Sequence, residues 1–362
     1  MKAIIAGGGT GGHLFPGIAV AKEIKRRRPD AHVLFVGARQ GIETRVVHSE
    51  GFELETLLIG GIKGVGPVRR LRNLFGMAIA LVHAMKILSR FRPDVVVGVG
   101  GYASVPILLA AICRGLPRII MEQNVYPGLA NRVLGHGVNF TAVADVRTAT
   151  FFGNHGVVTG NPVRKEFLTI APKIHQPPYT VLVLGGSQGA SSINKAMLEA
   201  LPFLKGWEAR LTFIHQTGAH QHAEIKSAYD AAGFEATVEI FFDKIYESYN
   251  SANLLISRAG ATSVAEIKAA GRAAILIPFK YATDDHQRLN AKAMVENEAA
   301  HMIDSVDLTG QRLASEVIRL LEDKHALCLM ERNAKEMAVL DAESRIVDLI
   351  ERAVLNKGKK GK

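Results

Sequence analysis

The chain has 362 residues, which suits two domains of ~150–180 residues better than a single core. Hydrophobic residues make up 48% and charged residues 22%, and this balance excludes an intrinsically disordered chain. The net charge of +10 suits nucleic acid, anionic lipid or phosphorylated ligands alike, so charge alone does not choose a partner.

The sequence predicts neither a secretion signal nor a membrane-spanning helix. The opening apolar run stops at glycines after a few residues, unlike a signal peptide. Residues 95–113 are uncharged and long enough to cross a bilayer, but their glycines and Pro106 predict a buried strand, a turn and a short helix. Cys113 and Cys328 match no metal or redox spacing, and we expect two buried thiols without a disulfide.

Short apolar runs alternate with helix-length amphipathic segments along the chain. Runs that are apolar on both faces and separated by helices indicate parallel sheets covered on both sides, in a doubly wound α/β fold. The predicted strands comprise residues 3–6, 32–36, 94–99, 118–121 and 140–144 in the first half, and 180–184, 211–215, 237–242, 253–257 and 274–278 in the second.

The two halves of the chain resemble each other in sequence. Residues 4–12 resemble 181–189, residues 97–105 resemble 256–264, and residues 115–120 resemble 271–276, all in the same order. Three ordered matches indicate a duplicated Rossmann-like domain. Asn161 and Pro162 predict the boundary, because proline restricts the backbone and lacks a donor. The C-terminal segment predicts helices that pack back across both domains.

Each half contains a glycine-rich loop between a strand and a helix, at residues 7–13 and 185–189. Glycine permits a sharp turn and a close backbone approach, and the following helix start attracts phosphate. Either loop alone is also compatible with a plain strand-to-helix turn, and neither has the ending of a Walker loop. A nicotinamide site is a rival interpretation, in which Arg39 would accept the phosphate of NADP.

Polar residues follow three further predicted strands. Glu122 and Asn124 lie at a carboxyl edge, where open α/β sheets bind ligands. Glu266 falls in the first turns of a helix, where a carboxylate either simply complements the dipole or accepts both hydroxyls of a ribose. Gln287 either offers its amide to sugar hydroxyls or is a solvated helix residue.

Six motifs occur in one order, and together they are far more specific than any one of them. They are Gly8-Gly-Thr-Gly-Gly-His13, Glu122-Gln-Asn124, Gly160-Asn-Pro-Val-Arg164, Gly185-Gly-Ser-Gln-Gly189, Ser257-Arg-Ala-Gly-Ala-Thr-Ser-Val-Ala-Glu266 and Asp285-His-Gln-Arg-Leu-Asn290. From about residue 3 to about residue 350, the chain resembles the bacterial peptidoglycan family that transfers N-acetylglucosamine from UDP-N-acetylglucosamine to undecaprenyl-pyrophosphoryl-MurNAc-pentapeptide.

The resemblance implies the GT-B fold, with two Rossmann-like doubly wound parallel-sheet domains facing a cleft. Residues 1–161 would form an acceptor- and membrane-binding domain, and residues 162–340 a UDP-sugar-binding domain. Residues 341–362 would form a C-terminal helix that packs back on the N-terminal domain and ends in a basic tail.

The resemblance also implies which residues bind the substrates. Glu266 would accept the ribose hydroxyls, and the backbone near Ile245 would contact the uracil. Ser187, Thr262 and Ser263 would hold the pyrophosphate of the sugar donor, with Ala261, Val264 and Ala265 beside them. Arg164 would lie beside the nucleotide. Gln287 and Asn124 would contact the N-acetylglucosamine. Thr10, Gly11 and Gly12 would face the donor from the first domain and help to bind the acceptor pyrophosphate.

The implied reaction is an inverting attack by the muramyl 4-hydroxyl on the anomeric carbon, with UDP as the leaving group. A single displacement needs a general base and a stabilised diphosphate. His13 is the first candidate for the base, because imidazole titrates nearest neutral pH, although it could instead donate to a phosphate. Glu122 is the second candidate. Helix starts can neutralise the diphosphate, so no metal ion and no cofactor are expected.

Residues 62–79 combine basic and apolar side chains and predict peripheral attachment to an anionic membrane. The alternative is an ordinary amphipathic helix that faces its own sheet. The resemblance implies that the enzyme acts at the cytoplasmic face of the bacterial cell membrane. No nucleic-acid partner is expected. Competing functions are a GT-B transferase with another lipid acceptor, a dinucleotide oxidoreductase and a nucleotide-sugar sensor without turnover.

Overall fold

The computed structural model describes residues 1–39, 43–57, 67–186 and 189–360, with the backbone alone for residues 67–75 and 358–360. The chain forms two compact units. The first comprises Met1–Pro162 together with Asp341–Lys362, and the second comprises Val163–Leu340.

The first unit is built on a parallel sheet in which apolar residues cover both faces. Its strands are β1 (Lys2–Gly7), β2 (His32–Ala38), β3 (Glu53–Leu57), β4 (Val95–Gly100), β5 (Arg118–Glu122), β6 (Phe140–Val143) and β7 (Gly156–Val158). They lie in the order β3-β2-β1-β4-β5-β6-β7. The strand order therefore reverses between β1 and β4, and open α/β sheets bind ligands at such a point.

Helices cover both faces of this sheet. They are α1 (Gly11–Arg27), α2 (Glu43–Ser49), α3 (Pro67–Phe91), α4 (Ser104–Cys113), α5 (Leu129–Leu134) and α6 (Val146–Phe151). Because successive strand residues point to opposite faces, Ile5 and Val97 join one buried cluster with α1, and Ile4 and Val96 join another with α3 and α4.

The second unit repeats this plan. Its strands are β8 (Tyr179–Leu184), β9 (Leu211–Gln216), β10 (Glu235–Glu239), β11 (Leu254–Ser257), β12 (Ala274–Leu276) and β13 (His301–Met302). Its helices are α7 (Ser191–Ala200), α8 (His222–Ala231), α9 (Ile245–Ser251), α10 (Ala261–Ala270), α11 (His286–Glu296), α12 (Gly310–Glu322) and α13 (Lys324–Glu336). The strand order, β10-β9-β8-β11-β12-β13, is the order of the first six strands of unit 1, as a duplicated domain predicts.

The last helix returns to the first unit. This helix, α14 (Ala342–Lys360), packs on α1 and buries Ile346 and Ile350 in the core of unit 1. Arg27 of α1 fastens it, donating to the Asp348 carboxylate at 2.6 Å and to the Ser344 carbonyl at 2.9 Å. The chain therefore passes from one unit to the other twice, near residues 162 and 340.

The structure confirms the doubly wound α/β prediction and corrects several details. Three edge strands were missed, β3, β7 and β13, because they are short or carry polar residues on an exposed side. The strand predicted over 237–242 is β10, which begins and ends earlier. The expectation of buried thiols was wrong: Cys113 ends α4 and Cys328 lies on the outer side of α13, and both are exposed.

The apolar stretch at 95–113 forms β4, a turn and α4, as predicted. Among the described residues, no helix combines the length and the apolar character needed to cross a membrane.

Candidate active site

The glycine loop of the first unit lies where the strand order reverses, between the ends of β1 and β4. Gly7 has φ +138°, and a Cβ there would lie 2.2 Å from the carbonyl oxygen of Gly100. A Cβ on Gly101 would lie 2.6 Å from the carbonyl oxygen of Gly8. Only glycine allows these two loops to approach so closely, so the loop after β1 is fixed by the loop after β4.

The loop leads into the start of α1. Thr10 is the N-cap residue, with extended backbone, and its carbonyl accepts from the amides of His13 and Leu14. Gly11 and Gly12 are half-buried in the first turn, which contains no acidic residue. No carboxylate within the first turn itself compensates the positive end of the helix dipole, which favours an anionic ligand.

His13 is held at this loop by groups from two neighbouring strands. Its Nδ1 lies 3.1 Å from Oε1 of Gln123, directly after β5. Its ring lies against Gly100, where an added Cβ would be 2.6 Å from Nδ1. The imidazole is thus oriented before any substrate binds.

Glu122 is buried and its carboxylate accepts four hydrogen bonds. Oε1 accepts from the backbone and side-chain nitrogens of Asn124 at 3.0 and 3.2 Å. Oε2 accepts from the Gly128 amide and from Nδ2 of Asn131, both at 2.9 Å. Because about four lone-pair sites are available on a carboxylate, this engagement favours His13 over Glu122 as the base and gives Glu122 the role of holding Asn124 in place.

Glu43 supports the glycine loop and was not predicted. This residue is 1% exposed. Its Oε2 accepts from the Gly9 amide at 3.0 Å and its Oε1 from the Ala38 amide at 2.7 Å. Its carboxylate occupies the space that a side chain on Gly8 would need. Glu43 lies 34 residues from Gly9 in sequence, and no local pattern indicates the contact.

In the second unit, Glu266 faces Arg164 at the side of α10. Their closest atoms are 3.9 Å apart, which is too long for a direct hydrogen bond. The Glu266 side chain is 18% exposed, and burial raises its pKa to about 7, against the opposing effect of the Arg164 guanidinium. Since Arg164, its ion-pair partner among the described residues, lies beyond hydrogen-bond distance, this carboxylate can accept from ligand hydroxyls.

Arg164 also connects this carboxylate to the segment before α9. Its guanidinium donates to the Asp243 carbonyl at 3.3 Å and lies over the ring of Tyr246. Ile245 begins α9 and packs on the same apolar cluster as Val264 of α10. The structure therefore brings together Glu266, Arg164 and the Ile245 segment, three of the predicted donor elements.

The second glycine loop follows β8. Gly189 has φ +78°, and a Cβ there would lie 2.0 Å from the Thr217 carbonyl oxygen. Buried Gln216, another residue that was not predicted, donates to the Gly186 carbonyl at 2.8 Å and accepts from the Phe242 amide at 2.9 Å. It thus links this loop to the segment before Ile245. Ser187 lies outside the described residues.

The start of α10 has the character of an anion site. Gly260 is its N-cap residue, and Ala261, Thr262 and Ser263 form the first turn, which contains no acidic side chain. Val264 is buried and anchors the turn, while Ala265 is half-buried.

Gln287 lies in the first turn of α11. Its Oε1 accepts from the Phe279 amide at 2.9 Å. For a sugar hydroxyl, Gln287 can therefore offer its amide nitrogen as a donor and the second lone pair of its oxygen as an acceptor.

Comparisons with known proteins agree with this arrangement. The N-terminal domain of glycosyltransferase family 28 matches residues 3–142, and its C-terminal domain matches residues 180–346. The chain belongs to glycosyltransferase family 28. It is 45% identical to a protein of Citrifermentans bemidjiense over 96% of this chain and 98% of that protein, and 46% identical to a protein of Syntrophus aciditrophicus over 96% and 97%.

Both of these family 28 relatives are named UDP-N-acetylglucosamine–N-acetylmuramyl-(pentapeptide) pyrophosphoryl-undecaprenol N-acetylglucosamine transferase. Among solved structures, MurG of Acinetobacter baumannii has a TM-score of 0.81 and 30% identity, and the match covers 97% of this chain and 99% of that one. These matches confirm the resemblance drawn from the six motifs, and with it the GT-B fold class with two Rossmann-like units.

Proposed function

We propose that this chain transfers N-acetylglucosamine from UDP-N-acetylglucosamine to the 4-hydroxyl of the muramyl sugar in undecaprenyl-pyrophosphoryl-MurNAc-pentapeptide. The main support for this proposal is that two proteins named as this N-acetylglucosamine transferase align with 96% of the chain. The two glycine loops, the His13 site and the Glu266–Arg164 pair supply the groups that such a transfer needs.

The second unit would bind the donor. Two ribose hydroxyls donate to the Glu266 carboxylate, whose ion-pair partner in the described part of the chain, Arg164, lies 3.9 Å away. The backbone at Ile245 contacts the uracil. Arg164, which donates to the Asp243 carbonyl just before this segment, lies beside the nucleotide. The α10 start, with Thr262 and Ser263, and Ser187 hold the diphosphate, and Gln287 contacts the sugar. Helix N-termini stabilise the negative charge that develops on the leaving group.

The first unit would bind the acceptor and supply the base. Thr10, Gly11 and Gly12 hold the acceptor pyrophosphate at the start of α1, and Asn124 contacts the transferred sugar. The His13 Nε2 takes the proton of the 4-hydroxyl as its oxygen bonds to the anomeric carbon. The bond from that carbon to the diphosphate oxygen breaks, its electrons leave with UDP, and the configuration inverts.

An acceptor panel tests this proposal. Radiolabelled UDP-N-acetylglucosamine is offered with a short-chain lipid-linked muramyl-pentapeptide, with diacylglycerol, or without acceptor. The proposal expects label in the muramyl product alone. Transfer to diacylglycerol would instead favour a GT-B transferase with another lipid acceptor, and binding of NADPH without binding of UDP would favour the dinucleotide-binding alternative.

Donor binding should strengthen as the pH rises towards 8. Burial raises the pKa of Glu266 to about 7, and a protonated carboxyl group cannot accept from both ribose hydroxyls. If only the ionised form binds, affinity is about tenfold weaker at pH 6 than at pH 8 and levels off above pH ~7. Calorimetric titration of UDP-N-acetylglucosamine measures this, because its diphosphate diester does not titrate in this range. Glu266→Gln should lose the pH dependence, and an unchanged slope in this variant would assign it to another group.

We also propose that the enzyme attaches peripherally to the cytoplasmic face of the membrane through residues 62–79 and the exposed side of α3. Residues 62–66 lie outside the described residues, and for 67–75 the backbone alone is described. Further along α3, Ile79 and Val82 are 66% and 59% exposed, while Ala84 and Ile87 face the core. The helix thus keeps an apolar outer side beside its basic first turns.

Substituting Arg69, Arg70 and Phe75 together with serine should weaken binding to phosphatidylglycerol vesicles by about 30-fold or more, since each arginine near an anionic surface contributes about 1 kcal/mol. Vesicle co-sedimentation measures this. A control variant with Arg312, Arg332 and the exposed Phe203 of unit 2 replaced by serine removes the same groups and should bind like the wild type. Equal binding by all three proteins would exclude this surface.

A further inference from the structure

Gln123 is a buried amide whose two polar atoms each have a partner. It follows β5 and is 5% exposed. Its Nε2 donates to the Val99 carbonyl at 3.1 Å, and its Oε1 lies 3.1 Å from Nδ1 of His13. The second contact joins residues that are 110 positions apart in sequence.

The Val99 carbonyl decides which way this amide points. A carbonyl oxygen only accepts, so the amide nitrogen must face it. The reverse orientation would place two oxygens together and leave both buried acceptors without a donor, which costs on the order of 1–3 kcal/mol for each group. The carbonyl oxygen of Gln123 therefore faces His13.

The orientation of the amide in turn decides where the His13 proton lies. An amide oxygen only accepts, so the contact at 3.1 Å requires a proton on Nδ1. In a neutral imidazole that carries the proton on Nδ1, Nε2 has the free lone pair. The order of groups is thus Val99 carbonyl, Gln123 amide, His13 Nδ1 and a basic His13 Nε2.

The ring is fixed on its other side by Gly100. This glycine has φ +102°, and a Cβ there would lie 2.6 Å from Nδ1 and 2.8 Å from Cε1. Gly100 therefore lets the imidazole lie directly on the backbone at the end of β4. Together with Gln123, it leaves the imidazole little freedom to turn.

We infer that Gln123 is a positioning residue that holds His13 in the tautomer with Nδ1 protonated, so that Nε2 is ready to take the acceptor proton. The use of that lone pair rests on the proposed function, whereas the tautomer itself does not. In the serine hydrolase triad a carboxylate orients the histidine. Here a neutral amide selects the same tautomer without adding negative charge next to the acceptor's pyrophosphate.

The tautomer can be measured directly. In full-length protein labelled with 15N-histidine, the His13 ring signals are assigned by their loss in His13→Asn. At pH 8, the wild type should show a protonated Nδ1 and an unprotonated Nε2. In Gln123→Met, which keeps the length but removes both polar atoms, the Nε2–H form should become substantially populated. A wild-type ring with the proton on Nε2, or an unchanged ring in Gln123→Met, would overturn the inference.

Kinetic measurements then distinguish two roles of Gln123: orienting the His13 imidazole, or only stabilising the end of β5. Gln123→Met should lower kcat by ~10- to 100-fold, a part of what a general base contributes, with the KM for UDP-N-acetylglucosamine unchanged. Gln123→Glu keeps an acceptor for Nδ1–H, and should retain the tautomer and more of kcat than the methionine variant. Equal losses in both variants, with the wild-type tautomer in both, would show that Gln123 only braces the strand. Because the tautomer is observed without turnover, a failure of the proposed function would be seen separately.

Discussion

Replacing His13 with asparagine should lower kcat by ~10²–10⁴-fold, the usual contribution of a general base, and leave the affinity for UDP-N-acetylglucosamine unchanged. Asparagine places Nδ2 near the position of the imidazole Nδ1, so the contact with Gln123 Oε1 is kept. The variant therefore removes Nε2 with little disturbance of the loop. Single-turnover transfer to a lipid-linked muramyl-pentapeptide measures the effect on the chemical step.

His13→Gln is the matched control for the other possible role of this residue. Its amide reaches the position of Nε2 and can donate to a phosphate, but it cannot take up a proton at neutral pH. If His13 is the base, both variants are slow. If the glutamine variant retains most of kcat, His13 acts as a phosphate donor and another group must be the base.

Replacing Glu266 with alanine should weaken donor binding by ~100-fold or more, because hydrogen bonds to a charged group contribute about 1.5–3 kcal/mol each and two are lost. The Glu266 carboxylate has Arg164 as its ion-pair partner at 3.9 Å, and its side chain is 18% exposed. Titration calorimetry with UDP-N-acetylglucosamine gives the dissociation constant directly. At saturating donor, kcat should fall much less than kcat/KM, since the ribose takes no part in the chemical step.

Glu247→Ala provides the control for this measurement. Glu247 belongs to α9 in the same unit, and its side chain is 63% exposed beside Lys244. Its loss should not change donor binding. Equal affinities of Glu266→Ala and wild type would remove Glu266 from the donor site.

Most of the fold could be predicted from the sequence, because a strand that is buried on both faces is apolar at nearly every position. The central strands β1, β4, β8 and β11 have this character and were all found. The edge strand β3 reads Glu-Leu-Glu-Thr-Leu and lacks it. Such an edge strand is defined by pairing with its neighbour, which a local pattern does not reveal.

The site was predictable only where the residue type itself carries the information. Glycines that must adopt a positive φ, at Gly7 and Gly189, are visible as loop motifs. Gln123, Gln216 and Glu43 act through contacts with backbone or ring atoms that are distant in sequence, and a local sequence pattern does not reveal those partners. One signal could have found the two glutamines: each ends or follows an apolar strand at its carboxyl edge.

The most direct test of the central claim is UDP release from UDP-N-acetylglucosamine by wild type and by Glu266→Ala, with and without a short-chain lipid-linked muramyl-pentapeptide. We expect release by the wild type that depends on the acceptor and collapses in the variant at subsaturating donor, with one sugar transferred for each UDP released. Release that is independent of the acceptor, or no release by a wild type that clearly binds UDP, would contradict the assignment of this chain as the transferase that adds N-acetylglucosamine to the lipid-linked muramyl-pentapeptide.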